Sequence, residues 1–250
     1  MTVTVAYIES RDGVISHDST FRAWDGFRKR GIRCELFEPV QVYEQQLPLS
    51  RETLVAGGVP VVEAALKSVG VPIPTADHLP ACLEKYRGRK TWHSTWRELR
   101  AEFRKAGAPP KRFVKPLRKH KSFPAVALFS ASDLPDVDDE IDDQEVLVAE
   151  YVLFVSEWRC FVCRGQILDI CRYDGEVLRF PDVPIIQSAI TDFGQSAPSA
   201  YAIDFGILSD GRTVLVEVND GYSVSPYGLN SIDYSDLLET RWNELTSRER

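Results

Sequence analysis

Tyr201–Leu208 and Thr213–Val218 are two mostly apolar runs separated by a short turn that contains Asp210-Gly211. An Asp-Gly pair between such runs signals a tight hairpin, because glycine supplies the positive φ that the reversal needs. The pairing gives each strand an antiparallel neighbour and commits this part of the chain to an antiparallel sheet. It also sets three polar side chains on an apolar ground. Asp204 lies among Ile203, Phe205 and Ile207, and Glu217 lies between Val216 and Val218. Glu217 and Asn219 are two apart and share one strand face, and the reversal can bring Asp204 beside that face. Two carboxylates and an amide oxygen brought together repel one another unless a cation joins them, and hard oxygen donors in that number suit Mg²⁺. Spacing alone leaves a second reading open, in which the strand alternates and its polar face is solvated.

The segments upstream of this hairpin have the same character. Arg112–Lys115, Ala125–Phe129, Val146–Phe154, Glu157–Cys163 and Gln166–Arg172 read as successive strands, with a second tight turn at Arg164-Gly165. Helices fill Pro184–Phe193 and Tyr234 to about Leu245. The first third of the chain differs. Strands at Val3–Ile8, Ile32–Phe37 and Leu54–Ala56 alternate with two helices. One is capped by Asp18 or Ser19, presents Phe21, Trp24 and Phe27 and ends at Gly31; the other is the apolar stretch Val61–Val69. That alternation predicts a small parallel, Rossmann-like sheet. A capping box of Thr95 with Glu98 opens a further helix, with Trp96, Leu99 and Phe103 turned inward, and Gly107-Ala108-Pro109-Pro110 stops it.

Composition removes several classes of function. A formal net charge of −7 over 250 residues opposes indiscriminate binding to nucleic acid or to an anionic membrane. No apolar run is long enough to span a bilayer, and no basic segment precedes an apolar one at the N-terminus, so a cytoplasmic protein is expected. The five cysteines are odd in number and scattered. Cys160 and Cys163 fall on a predicted strand, where a separation of three puts them on opposite faces and argues against a metal pair. There is no Ser-His-Asp set, reactive Cys-His pairing or Walker A sequence. Basic residues concentrate between Lys111 and Lys121, and acids between Asp133 and Glu145. Lys115, flanked by Phe113, Val114 and Pro116, reads as a specific inward ammonium rather than part of a diffuse patch.

From Asp204 onward, the string DFGILSDGRTVLVEVNDGYS resembles the C-terminal metal-binding hairpin of the ATP-grasp superfamily: an Asp, a short hairpin, then hydrophobics leading to Glu-x-Asn. Further pieces stand upstream in matching order. Phe113-Val114-Lys115-Pro116 resembles the family's lysine strand, Val148-Ala149-Glu150-Tyr151-Val152 its hinge, and Ser156-Glu157-Trp158-Arg159 its Glu-x-Arg strand. Gly88-Arg89-Lys90-Thr91-Trp92, Lys115, Lys121 and the tail Gly221-Tyr222…Tyr227-Gly228-Leu229 together resemble the R-two-K clade. The implied fold is α/β plus α+β. A Rossmann-like pre-ATP-grasp domain over residues 1–87 is followed by a two-lobed antiparallel ATP-grasp domain over 88–250, with lobes at about 88–149 and 150–250.

The same resemblance implies the roles. ATP and Mg²⁺ are the cofactors, with Asp204, Glu217 and Asn219 on the metal. Lys115, Lys121, Arg89 and Lys90 reach the nucleotide, and Glu150, Tyr151 and Val152 line the adenine pocket. Glu157 holds the ribose or positions Arg159, and Arg159 and Lys121 serve catalysis. The residues by themselves leave plainer alternatives: a strand ion pair of Glu157 with Arg159, a solvated Glu150, and a surface pair at Arg89 and Lys90. The implied reaction is ADP-forming ligation of a carboxylate to an amine or related nucleophile through an acyl phosphate. The substrates are small molecules or a peptide, and neither membrane nor nucleic acid is an expected partner. The alternatives are a kinase of the same fold and a nucleotide-binding regulatory module without turnover. Family lids carry glycine, whereas His120-Lys121-Ser122-Phe123-Pro124-Ala125 has none.

Overall fold

The computed structural model describes residues 3–75, 77–105, 110–116, 125–134 and 143–247. Contacts divide the chain into two compact units, one formed by Met1–Tyr86 with Phe154–Arg250 and the other by Arg87–Leu153.

The first unit opens with β1 (Val5–Glu9), α1 (Asp18–Lys29), β2 (Arg33–Phe37), α2 (Pro39–Tyr43), β3 (Thr53–Ala56) and α3 (Val59–Ser68). The strands form a parallel sheet in the order β2-β1-β3. Parallel neighbours need crossover connections, which the intervening helices supply. Helix α1 departs from expectation at its start and on its face. Its N-cap is His17 with no side-chain cap, and Asp18 lies in the first turn, where a carboxylate favours the helix dipole. Its buried residues are Thr20, Ala23, Gly26 and Phe27, whereas Phe21 is 49% exposed.

The second unit contains β4 (Thr91–Thr95), α4 (Trp96–Lys105), β5 (Arg112–Pro116), β6 (Val126–Leu128) and β7 (Glu145–Glu150), in an antiparallel sheet ordered β4-β7-β5-β6. The capping box at the start of α4 is present. Glu98 N–H donates to Thr95 Oγ1 at 3.2 Å, and Thr95 N–H donates to the Glu98 carboxylate at 3.1 Å. Trp96, Leu99 and Phe103 from α4 pack on Val114, Leu128, Val146 and Val148 from the sheet. The strand expected over Val146–Phe154 is not continuous: β7 ends at Glu150, and the next strand starts at Phe154.

Back in the first unit, β8 (Phe154–Cys163), β9 (Gln166–Gly175), β10 (Ala200–Leu208) and β11 (Thr213–Asp220) form an antiparallel sheet ordered β11-β10-β8-β9. Helices α5 (Val183–Phe193) and α6 (Ser231–Thr246) complete it. The β8–β9 turn puts Arg164 and Gly165 both at positive φ, 50° and 74°, as the tightest hairpins require. Every residue of β10 is buried because both faces of the sheet are covered. Cys160, Val162, Tyr201, Ile203 and Phe205 meet Ile186, Ala189 and Phe193 of α5. On the other face Phe161, Cys163, Ala200 and Ala202 share a core with Leu237, Leu238 and Trp242 of α6 and with Ala6, Ile8 and Leu54 of the parallel sheet. Cys160 and Cys163 therefore face opposite cores, and all five cysteines are free thiols.

Candidate functional site

Three adjacent strands bring charged groups to one level. Arg159 of β8 lies opposite Asp204 of β10, and Asp204 lies opposite Glu217 of β11. Just beyond this pair the β10–β11 register shifts, so that Phe205 faces Leu215 and Val216 is the extra residue. Bulges of this kind re-aim side chains beside functional sites. Asn219 lies opposite Ala202, whose single methyl leaves the amide room to lean across. Asn219 Nδ2 donates to Glu217 Oε1 at 2.9 Å and to Asp204 Oδ2 at 3.3 Å. Asp204, Glu217 and Asn219 thus converge, and Arg159 joins them.

Arg159 grips Asp204 with a fork: Nε to Oδ1 at 2.8 Å and Nη2 to Oδ2 at 2.7 Å. Its Nη1 donates to the Ser225 carbonyl at 3.3 Å. Asp204 is 1% exposed and Arg159 7%. Burial pushes the Asp204 carboxyl up to about 6 against the pull of the guanidinium, and the Glu217 and Glu157 carboxylates push the same way. Burial also opposes charge on Arg159, but the hydrogen bond and charge of Asp204 outweigh it and raise its pKa. The strand ion pair of Glu157 with Arg159 does not form in the way the spacing allowed. The guanidinium turns to Asp204, and Glu157 accepts the Tyr173 hydroxyl at 2.7 Å instead.

The donor set fits a hard divalent cation. Asp204 and Glu217 offer carboxylate oxygens, and Asn219 offers an amide oxygen once its terminal group is turned over, an orientation that hydrogen bonding assigns. Magnesium commonly takes one or two carboxylates and completes its octahedron with phosphate and water. Among the described residues no group of three or more His, Cys, Asp or Glu is placed to hold a metal ion, so the protein donors here are two carboxylates and the amide.

The remaining expected residues lie in the second unit. Lys115 is half-buried on the face of β5 opposite the core residue Val114. Glu150 ends β7, where its carboxylate accepts Lys90 N–H and its own N–H donates to the Lys90 carbonyl, both at 3.0 Å. The solvated reading of Glu150 is therefore replaced by a backbone clamp. Tyr151 N–H donates to the Lys111 carbonyl at 3.3 Å, its ring meets Phe129 edge-on at 4.8 Å, and Val152 follows it half-buried. Arg89 Nη1 donates to the Arg87 carbonyl at 3.1 Å, and Lys90 is exposed. Lys121 and the lid stretch around it lie outside the described residues.

The family model for the ATP-grasp domain of the R-two-K clade, family 2, matches residues 86–237, which take in Lys115, Glu150 and the whole acidic hairpin. The chain belongs to the R-two-K clade of the ATP-grasp domain family. ATP-grasp ligases use ATP and Mg²⁺. Among solved structures, D-cycloserine synthetase DcsG superposes with a TM-score of 0.60 at 12% identity, over 96% of this chain and 99% of that one. D-Alanine–D-alanine ligase from Bacillus anthracis complexed with ATP gives 0.55 at 17% identity, over 98% of this chain and 97% of that one. ATP-grasp ligase PsnB, complexed with a phosphomimetic variant of its minimal precursor, Mg and ADP, gives 0.52 at 12%, over 97% of this chain and 98% of that one. At these identities the likeness is one of fold: an ATP-grasp fold of mixed α/β content with antiparallel sheets. No curated protein matches the chain significantly. No helix among the described residues is long and apolar enough to cross a membrane.

Several contacts around this cluster carried no sequence signal. Arg241 on α6 clasps Asp220, with Nε to Oδ1 at 2.7 Å and Nη2 to Oδ2 at 2.6 Å. Asp220 is thereby tied to α6, which anchors the end of β11 just after Asn219. Tyr222 is likewise engaged, its hydroxyl donating to Glu63 at 3.0 Å. A separation of 21 residues between partners has no period that a single sequence displays.

Proposed function

We propose that this chain is a Mg²⁺–ATP-dependent ligase that joins a carboxylate to an amine or related nucleophile through an acyl phosphate. The observation that carries the reading is the meeting of Asp204, Glu217, Asn219 and Arg159 on three adjacent strands. Asp204, Glu217 and Asn219 would hold Mg²⁺, which when bound neutralises phosphate charge and orients the phosphates. Lys115 would contact the phosphates, with Lys121, Arg89 and Lys90 adding charge, while Glu150, Tyr151 and Val152 would line the adenine pocket. Glu157 would serve the ribose. Arg159, its fork held by Asp204 in a largely buried setting, would brace the transferring phosphoryl group by placing its positive charge beside it.

In this scheme a substrate carboxylate oxygen attacks the γ-phosphorus and ADP leaves. An amine nitrogen then attacks the acyl carbon, releasing phosphate and a proton. The protein's contribution is positioning and charge neutralisation, with little covalent work of its own. The neighbouring folds support ligation, since those described above are a synthetase and two ligases, one of the ligases complexed with a variant of its precursor. The N-terminal parallel sheet is read as the pre-ATP-grasp domain. The glycine-free stretch His120–Ala125 favours one second reading, a nucleotide-binding module without turnover. The test is Mg²⁺-dependent ADP release across pools of carboxylates and amines, with mass spectrometry of condensed products. Hydroxylamine should trap the acyl phosphate as a hydroxamate. A stable phosphoester would make the protein a kinase, and tight Mg²⁺–ATP binding with no ADP from any pool would make it a module.

A further inference from the structure

We propose that Tyr227, with Tyr173 beside it, is a positioning residue that fixes the plane of the Arg159 guanidinium; the role rests on the reading of Arg159 given above. The guanidinium carbon lies 4.8 Å from the Tyr227 ring centre and 5.9 Å from that of Tyr173. The two rings stack on each other at 4.8 Å with 21° between their planes. Tyr173 is itself tied down, because its hydroxyl donates to Glu157 at 2.7 Å. Burial first, and then the Asp204 and Glu157 carboxylates, raise the Tyr173 pKa, which keeps that hydroxyl a donor.

The Asp204 fork fixes Nε and Nη2, and the Ser225 carbonyl takes Nη1 only at 3.3 Å. Those in-plane contacts leave the faces of the guanidinium to be held by something else. An aromatic face is the natural restraint, since its negative quadrupole attracts the cation while its flatness excludes tilt. The chain accepts an uncommon backbone to supply that face. Tyr227 has φ of 42°, in the left-handed region that non-glycine residues seldom occupy, and Gly228 follows at 112°.

Such a conformation persists only where its surroundings over-determine it, and here both flanks are pinned. Val224 is buried and its carbonyl accepts the Tyr234 hydroxyl at 2.7 Å. Leu229 is fully buried, its N–H donates to the Pro226 carbonyl at 2.8 Å, and its own carbonyl accepts Arg22 Nη1 at 2.9 Å. Yet Tyr227 itself remains 42% exposed. A tyrosine retained for core packing would be buried, whereas this one lies over a nearly buried cation.

The experiment follows the Arg159 Nε–H resonance by ¹⁵N NMR, assigned from its disappearance in Arg159→Lys, together with Mg²⁺–ATP affinity by calorimetry. Tyr227→Ala and Tyr227→Leu should speed exchange of that proton with water by about fivefold to tenfold. Tyr227→Phe should behave as the wild type, because the ring face and not the hydroxyl is used. Thermal melts show which variants remain folded, and Tyr227→Leu keeps the test alive should the alanine variant unfold. Unchanged exchange in folded Tyr227→Ala or Tyr227→Leu overturns the proposal, as does a Tyr227→Phe protein that exchanges like the alanine variant. A wild-type protein that does not bind Mg²⁺–ATP would overturn the functional reading beneath it, which the calorimetry detects independently of the exchange data.

Discussion

At Asp204 two demands meet that pull in opposite directions. The carboxylate is almost wholly buried, which favours its neutral form, and it is gripped by a guanidinium, which favours its charge. Removing one partner of a buried pair strands the other, so Arg159→Met should lower stability by about 3–5 kcal/mol in urea unfolding. A loss under about 1 kcal/mol would mean that the pair is exposed in solution. Thiols give a second check on the residue environments. Burial, with the nearby Asp204 and Asp169 carboxylates, pushes Cys160 up to about 12, and burial with Asp169 does the same to Cys171, whereas Cys82 is exposed. The thiolate is the reactive form, so a maleimide at neutral pH should label Cys82 ahead of both. Peptide mapping that finds Cys160 labelled first would contradict the β8 register. Glu217 and Asn219 were legible because a strand alternates with period two. The partner of Arg159 was not, because Asp204 is 45 positions away and Glu157, only two away, looked equally apt.

Among the elements, close approach decides more than propensity does. Gly26 is in mid-helix, where alanine would ordinarily favour the helix by about 1 kcal/mol. A methyl group there would overlap the Ser231 carbonyl at the start of α6. Overpacking of that kind costs about 1–3 kcal/mol, so Gly26→Ala should destabilise the protein on balance. A raised melting temperature in that variant would show that α1 and α6 do not pack this tightly. Elements with strong local signals were legible: the Thr95–Glu98 capping box, the Arg164-Gly165 turn and the Asp210-Gly211 hairpin. Strand β4 was not, since Thr91-Trp92-His93-Ser94-Thr95 lacks apolar alternation and is defined by its pairing with β7. Phe21 misled because helical spacing marks a face without saying how wide the buried stripe is, and α6 covers the side with Ala23 and Gly26.

Across the whole molecule, the parallel sheet does not own its core. Phe27, Ile8 and Leu54 share one cluster with Leu237, Leu238 and Trp242 of α6 and with Phe161 and Ala202 of the antiparallel sheet. A fragment of residues 1–87 therefore lacks much of its own interior, and no cooperative thermal transition is expected from it by circular dichroism. A sharp two-state melt of that fragment would make it an independent domain. Strand–helix order pointed to a parallel sheet; which later segment covers it depends on contacts some 200 positions apart, as between Arg30 and Glu239, which local pattern cannot express. The central claim is that the β10–β11 hairpin holds the metal of Mg²⁺–ATP, and calorimetric titration of ATP with Mg²⁺ or with EDTA tests it most directly. Wild type should bind only when Mg²⁺ is present, and Glu217→Gln, with the fold intact, should bind in Mg²⁺ no better than wild type in EDTA. Equal Mg²⁺-dependent affinity in wild type and folded Glu217→Gln would contradict it.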